Sequence, residues 1–170
     1  MRLEYLFLRL RNTLGIPFKP ENELSKLDIS RGQTVLDFGC GIGSFTPPVA
    51  QLVGAEGKVF ALDKEPYALE TVRKAAQKKG LTKIEAILSE CDTLLPAHSV
   101  DLILFYGVLP DIEDPAAVLK ELHRMLKPGG TLSTRSCFRI TREGVMRIIN
   151  ATGLFTLRSE KGRILSFLPV

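Results

Sequence analysis

The chain has 170 residues, 45% of them hydrophobic and 25% charged, with a formal net charge of +4 and a pI near 9.0. That length and composition predict one globular domain over residues 1–170 with a substantial core, and exclude disordered, fibrous and disulfide-stapled classes. The charge allows an anionic partner without requiring one, because the basic residues are spread along the chain.

Three cysteines, Cys40, Cys91 and Cys137, are too few and too scattered for a disulfide framework or a metal cluster, so no metal site is expected. They read as reduced thiols of a cytoplasmic protein. No apolar run of about 18 residues is present, so no transmembrane segment is expected. The stretch Met1–Leu6 is too charged for a signal-peptide core.

In chain order, Leu3, Leu6, Phe7, Leu10 and Leu14 recur at helical spacing among arginines. They read as a helix packed on the domain, or as a membrane-surface or partner helix. Residues 1–30 form the expected helical cover, with a short helix over Glu23–Leu27, and residues 31–170 the ligand-binding core.

Val35–Leu36–Asp37–Phe38 then reads as a buried strand over 34–38 that ends in an acid. It runs into Gly39–Cys40–Gly41–Ile42–Gly43, a turn in which bare peptide groups can approach a ligand. A helix is predicted from about Pro47 to Val53, with Thr46 as its cap. Lys58–Asp63 is a second apolar strand ending in an acid, followed by a helix opened by Glu65–Pro66. The basic residues Arg73, Lys74, Lys78 and Lys79 of that helix read first as its solvated face. Nucleic acid therefore stays an alternative partner, not the favoured one.

Ile84–Leu88 is a third strand, with Cys91 and Asp92 at its exit. Val100–Tyr106 is a fourth, apolar on both faces after Asp101. Asp114–Pro115 caps a helix that Lys127–Pro128–Gly129–Gly130 terminates, and Thr131–Ser136 is a fifth strand. A last helix over Thr141–Thr152 precedes two short strands, Leu154–Ser159 and Arg163–Leu168, joined at Lys161–Gly162 as an antiparallel hairpin.

The alternation predicts an α/β, Rossmann-like, seven-stranded sheet, mostly parallel with a C-terminal antiparallel hairpin and helices on both faces. Ligands of such sheets bind at the C-terminal strand ends, so Asp37, Asp63 and Asp92 point toward one crevice. Gly39–Gly43 lacks the G-x-G-x-x-G/A spacing of dinucleotide sites, and Asp37 beside the turn would repel a pyrophosphate. No G-x-x-x-x-G-K-[ST] stretch exists. The site expects a ligand carrying positive charge.

VLDFGCGIG at 35–43, VFALD at 59–63, the acid after the third strand, VDLILFYGVL at 100–109, LKPGG at 126–130 and the closing hairpin resemble the class I S-adenosylmethionine-dependent methyltransferases, in their small-molecule type. The resemblance implies S-adenosyl-L-methionine as cofactor and a small-molecule acceptor. It places Gly39, Gly41 and Gly43 against the methionine part, with Cys40 among them and Asp37 toward the ammonium. It gives Asp63 the ribose hydroxyls and lets Lys64 cover the adenine edge. Asp92 would accept from the adenine amino group with Cys91 as backbone donor, and Phe105 and Tyr106 would stand near the methyl group. Asp92 also reads as a turn residue and Tyr106 as a core aromatic.

Many relatives carry a histidine soon after the fourth strand, where this chain has Leu109–Pro110–Asp111. Asp111 and Tyr106 are then the candidate catalytic groups. The Asn-Pro-Pro-Tyr type of signature is absent, which disfavours adenine or glutamine methylation. Little cover for a substrate is legible, so a second subunit, either a copy or a partner, is one way to complete the pocket. A non-catalytic cofactor-binding subunit and an RNA-directed methyltransferase are the alternatives.

Overall fold

The computed structural model describes residues 19–170; the amphipathic stretch at 3–14 lies outside them. Seven strands form one sheet: β1 (Thr34–Phe38), β2 (Lys58–Asp63), β3 (Ile84–Leu88), β4 (Val100–Phe105), β5 (Leu126–Arg135), β6 (Phe155–Lys161) and β7 (Ile164–Pro169). Their spatial order is β3-β2-β1-β4-β5-β7-β6. The first five run parallel, and β7 is antiparallel to both β5 and β6. Strand order reverses between β1 and β4, which places a crevice at their C-terminal ends. Among the described residues, no helix is long and apolar enough to cross a membrane.

Helices α1 (Pro20–Leu24), α2 (Thr46–Val53), α3 (Pro66–Lys78), α4 (Pro115–Met125) and α5 (Arg142–Asn150) cover the two faces. The two-residue period of a strand decides which side chain meets which helix. Leu36, Phe38, Ile103 and Phe105 point to one face, where they pack with Leu119 and Leu122 of α4 and Val145 and Ile149 of α5. Val35, Leu102, Leu104 and Tyr106 point to the other, where they meet Leu24 of α1 and Val49 and Val53 of α2. Asp37 shares parity with Val35. The strand therefore delivers its carboxylate to the α2 side of the sheet.

Three elements differ from the sequence reading. The short first helix lies at Pro20–Leu24 rather than Glu23–Leu27, with Pro20 in its first turn, where a missing N–H costs nothing. Helix α2 begins at Thr46, not after it, and Phe45 stands at its N-cap without a side-chain cap bond. The Thr46 hydroxyl instead donates to Asp37 Oδ2 at 2.6 Å. Finally, the Lys127–Gly130 stretch does more than end α4. Leu126 pairs with Val100 and Thr131 with Leu102, so residues 127–130 loop out as a bulge inside β5. Lys127 Nζ reaches Asp101 Oδ1 at 2.8 Å, and Asp101 Oδ2 accepts from Thr34 N at 2.8 Å.

The long β3–β4 connection is held on the C-terminal end of α4. His98 N donates to Arg124 O and Ser99 N to Met125 O, which pairs carbonyls a helix end otherwise leaves open. The His98 ring bonds Leu126 O, and His123 bonds Val170 O; neither imidazole reaches the crevice.

Candidate active site

At the C-terminal ends of β1, β2, β4 and β5 lies an open cleft of about 1030 Å³. Its size is at the upper end for small-molecule sites. Its floor on the β1–β2 side is the glycine turn. Gly39 takes φ 70°, a region costly for a side chain, and a Cβ there would overlap Val108 of the β4 exit. Gly43 takes φ 80°, and a Cβ there would lie 2.9 Å from Val72 of α3. The turn is thus pressed between α3 and the loop after β4.

Four of its backbone donors are used within the fold. Gly39 N and Cys40 N donate to Leu62 O at 2.8 and 2.9 Å, Gly43 N donates to Cys40 O at 3.0 Å, and Gly41 N donates to Asp63 Oδ2 at 2.8 Å. An anion-cradling turn needs such N–H groups aimed at the ligand. Here the turn shows the cleft its carboxylates instead.

Two of these carboxylates are buried. Asp37 is 3% and Asp63 5% exposed. Burial raises the Asp37 carboxyl to about 7; the Thr46 hydroxyl pulls it down and the nearby Asp63 charge pushes it up. Asp63 accepts one backbone N–H on each oxygen, from Gly41 on Oδ2 and from Glu65 at 3.0 Å on Oδ1. Burial, then the charges of Asp37 and Asp63, push the Cys40 thiol up, so it stays protonated.

Of the residues expected from sequence, Asp37, Gly39, Cys40, Gly41, Asp63, Lys64, Cys91, Tyr106 and Asp111 all line this cleft. Lys64 forms an ion pair with Glu90 across the β2 and β3 exits. Gly43 supports the turn from behind, against Val72. Asp92 and Phe105 do not line the cleft. Asp92 is exposed and its Oδ1 accepts from Leu94 N at 3.1 Å, a local turn bond. Phe105 is fully buried edge-on against Phe38, with ring centroids 5.5 Å apart. It has the opposite parity to Tyr106, so only one of the two neighbours can face the cleft.

The two candidate catalytic groups are engaged. Tyr106, 8% exposed, shares a 2.8 Å hydrogen bond with Ser133. Burial, opposed by that bond, pushes its phenol up. Arg139 grips Asp111 through both guanidinium nitrogens, one at 2.8 Å. This pair ties the turn after β5 to the 3₁₀ turn after β4.

Sequence reasoning missed the β5 end. Arg135 lies 5.9 Å from the ring centres of both Phe45 and Tyr106, which stack edge-on at 4.9 Å. Phe138, 96% exposed, stands at the cleft mouth beside Arg139. A signal existed: strand exits carry site residues in such sheets, and Arg135 is the charge at the exit of the fifth strand.

Residues 29–155 match the family profile described as a methyltransferase domain. The chain belongs to that family. The methyltransferase domain is 32% identical over 108 residues to a demethylmenaquinone methyltransferase of Geobacillus stearothermophilus, covering 63% of this chain and 46% of that protein. It is 32% identical over 127 residues to an aklanonic acid methyltransferase of Streptomyces sp. (strain C5), covering 72% of this chain and 58% of that protein. The chain thus spans about half the length of the curated relatives it matches. A SAM-dependent methyltransferase from Aquifex aeolicus superposes with a TM-score of 0.81 at 25% identity, over 90% of each chain.

Proposed function

We propose that the domain binds S-adenosylmethionine on the acidic β1–β2 side of the cleft and directs methyl transfer to a small-molecule acceptor on the β4–β5 side. One observation carries the reading. Two buried carboxylates, Asp37 and Asp63, stand at a glycine turn whose Gly39, Cys40, Gly41 and Gly43 N–H groups are already donated within the fold. That arrangement rejects a pyrophosphate and suits a cationic amino-acid nucleoside with a ribose diol.

In this reading Asp63 accepts from the two ribose hydroxyls, one per oxygen. Asp37 faces the ammonium, which favours its ionised form. Gly39 and Gly41 let the methionine part approach the backbone. Lys64, held by Glu90, lays its stem along the adenine, and Cys91 offers backbone at the adenine edge. When bound, S-adenosylmethionine supplies an electrophilic methyl group on a sulfonium. The residues then bind, orient and exclude water, which is most of what in-line displacement asks of a protein. Tyr106 and Asp111 shape the acceptor side rather than abstract a proton, since each is committed to a partner. The acceptors named for the two relatives, demethylmenaquinone and aklanonic acid, agree with a small-molecule substrate.

Replacing Asp63 by Ala removes a charged double acceptor. Affinity for S-adenosylmethionine by titration calorimetry should fall by about 1.5–3 kcal/mol, roughly ten- to a hundredfold. An unchanged dissociation constant in a folded variant contradicts the assignment.

A further inference from the structure

The connection from β5 to α5 carries a two-residue turn that the cofactor does not need. Cys137 N donates to Ile140 O at 2.9 Å and Ile140 N to Cys137 O at 3.2 Å, which leaves Phe138 and Arg139 at the tip. The turn is fixed on three sides. Ser136 N donates to Arg163 O at 3.0 Å, Ile140 packs on the larger core cluster, and Arg139 grips Asp111, with one bond of 2.8 Å. Phe138 is nevertheless 96% exposed, at the mouth of the cleft. A single apolar side chain on a surface is ordinary. This one is set apart by its place: a braced turn holds its ring at the rim of an open cavity.

Behind Phe138 the β4–β5 side of the cleft is lined by Phe45, Tyr106, Val108, Ile112 and Val118. The charged groups on that side are engaged within the protein. Asp111 and Arg139 neutralise each other, and Asp114 accepts from Ala117 N at 3.0 Å as the cap of α4. Arg135 lies against the rings of Phe45 and Tyr106 and has a further interaction within the protein. Glu113 is exposed at the rim, where it keeps its water. A charge carried into this part of the cleft would lose hydration without gaining a counter-charge. An apolar group placed there gains with every contact it removes from water.

Resting on the S-adenosylmethionine reading, we propose that the protein grips its acceptor by an uncharged, apolar body, and that Phe138 is the specificity-determining residue that covers this body at the cleft mouth. Val108 borders both halves of the cleft: a Cβ on Gly39 of the glycine turn would lie 2.4 Å from its Cγ2. The acceptor body therefore lies between Val108 and Phe138, on the side of Val108 away from the acids. The fork between Arg139 and Asp111 keeps the Phe138 turn in place over it. Selection is then by apolar area covered, not by ion pairing. Because the ring touches almost nothing else, its removal weakens the acceptor and leaves the glycine turn, Asp37 and Asp63 as they are.

The test uses two fluorescent compounds with the same ring system, both of which brighten on leaving water: N-phenyl-1-naphthylamine, which is uncharged, and 8-anilino-1-naphthalenesulfonate, an anion. Titrations of the full chain with saturating S-adenosylhomocysteine should show saturable binding of the uncharged compound, roughly tenfold or more tighter than the sulfonate. Phe138→Ala should weaken the uncharged compound by about five- to tenfold, and Phe138→Leu, which stays apolar, should restore most of that loss. Affinity for S-adenosylhomocysteine, measured separately by calorimetry, should stay within about twofold in both variants. Failure of the wild-type protein to bind S-adenosylhomocysteine overturns the cofactor reading itself. Cofactor binding without binding of the uncharged compound, an affinity for that compound unchanged in Phe138→Ala, or tighter binding of the sulfonate overturns the acceptor proposal alone. Sedimentation separates two other roles for the ring. A wild-type dimer that Phe138→Ala dissociates, or binding to phosphatidylcholine vesicles that Phe138→Ala abolishes, would make Phe138 a contact between copies or a lipid anchor; either result, with binding of the uncharged compound unchanged, overturns the proposal.

Discussion

Asp37 is the residue at which stability and binding pull in opposite directions. Strand parity turns it onto the α2 side, where Thr46 is its hydrogen-bond partner and Asp63 its charged neighbour. Its carboxyl is raised from 3.8 to about 7, chiefly by burial. Between those values the folded state binds more protons than the unfolded state, so the free energy of unfolding decreases as pH rises from about 4 to about 7 and levels off above. Asp37→Asn keeps an acceptor for Thr46 and deletes the titration. Denaturant unfolding across this pH range should therefore show the ligand-free variant gaining on wild type toward neutral pH, by on the order of a few kcal/mol. Parallel pH profiles for the two proteins would contradict the buried, ionisable role. At this scale the sequence was legible where a side chain's type decided its role. Acids at the ends of apolar strands could be read as cleft residues, and Asp37 and Asp63 are at the cleft. Asp92 carries the same sequence mark, yet it lies in an irregular loop whose local turn bond to Leu94 N, not a strand register, sets its direction.

At the scale of elements, alternation along β4 separates core from site. Ile103 and Phe105 face α4 and α5, and Leu104 and Tyr106 face α2. Two adjacent aromatics at a strand exit look alike in sequence, and which one turns inward depends on the sheet register. Phe105 packs on Phe38 and does not reach the cleft. Phe105→Leu should cost about 1–2 kcal/mol of stability in urea unfolding through lost contact with Phe38. The same variant should bind S-adenosylmethionine within about twofold of wild type. Weakened binding at unchanged stability would instead put the ring beside the cofactor. The helix start at α2 carries a similar lesson. Thr46 followed by Pro47 reads as cap and first turn from local preference alone, whereas the buried Asp37 claims the threonine hydroxyl and the helix opens one residue earlier. A long-range partner outweighs a local preference worth about 1 kcal/mol. The bulge at Lys127–Gly130 is likewise set by Asp101, 26 residues away in sequence.

Across the whole molecule, the β-α alternation, the glycine turn and the closing hairpin made the seven-stranded architecture readable before any coordinate. They are local in sequence and repeat regularly. The acceptor side was not readable in the same way. It is assembled from the glycine loop (Phe45), the β4 exit (Tyr106, Val108, Asp111) and the β5 exit (Arg135, Phe138, Arg139), segments joined only by the sheet order. Its polarity, acids over β1–β2 and a guanidinium at β5, exists only once the strands are placed.

The central claim is that this acid-backed glycine turn takes a cationic nucleoside and refuses a pyrophosphate. Parallel calorimetric titrations of one protein sample with S-adenosylmethionine and with NADH test it most directly. The account predicts saturable binding of S-adenosylmethionine and none of NADH at millimolar concentration; binding of NADH with no response to S-adenosylmethionine would contradict it.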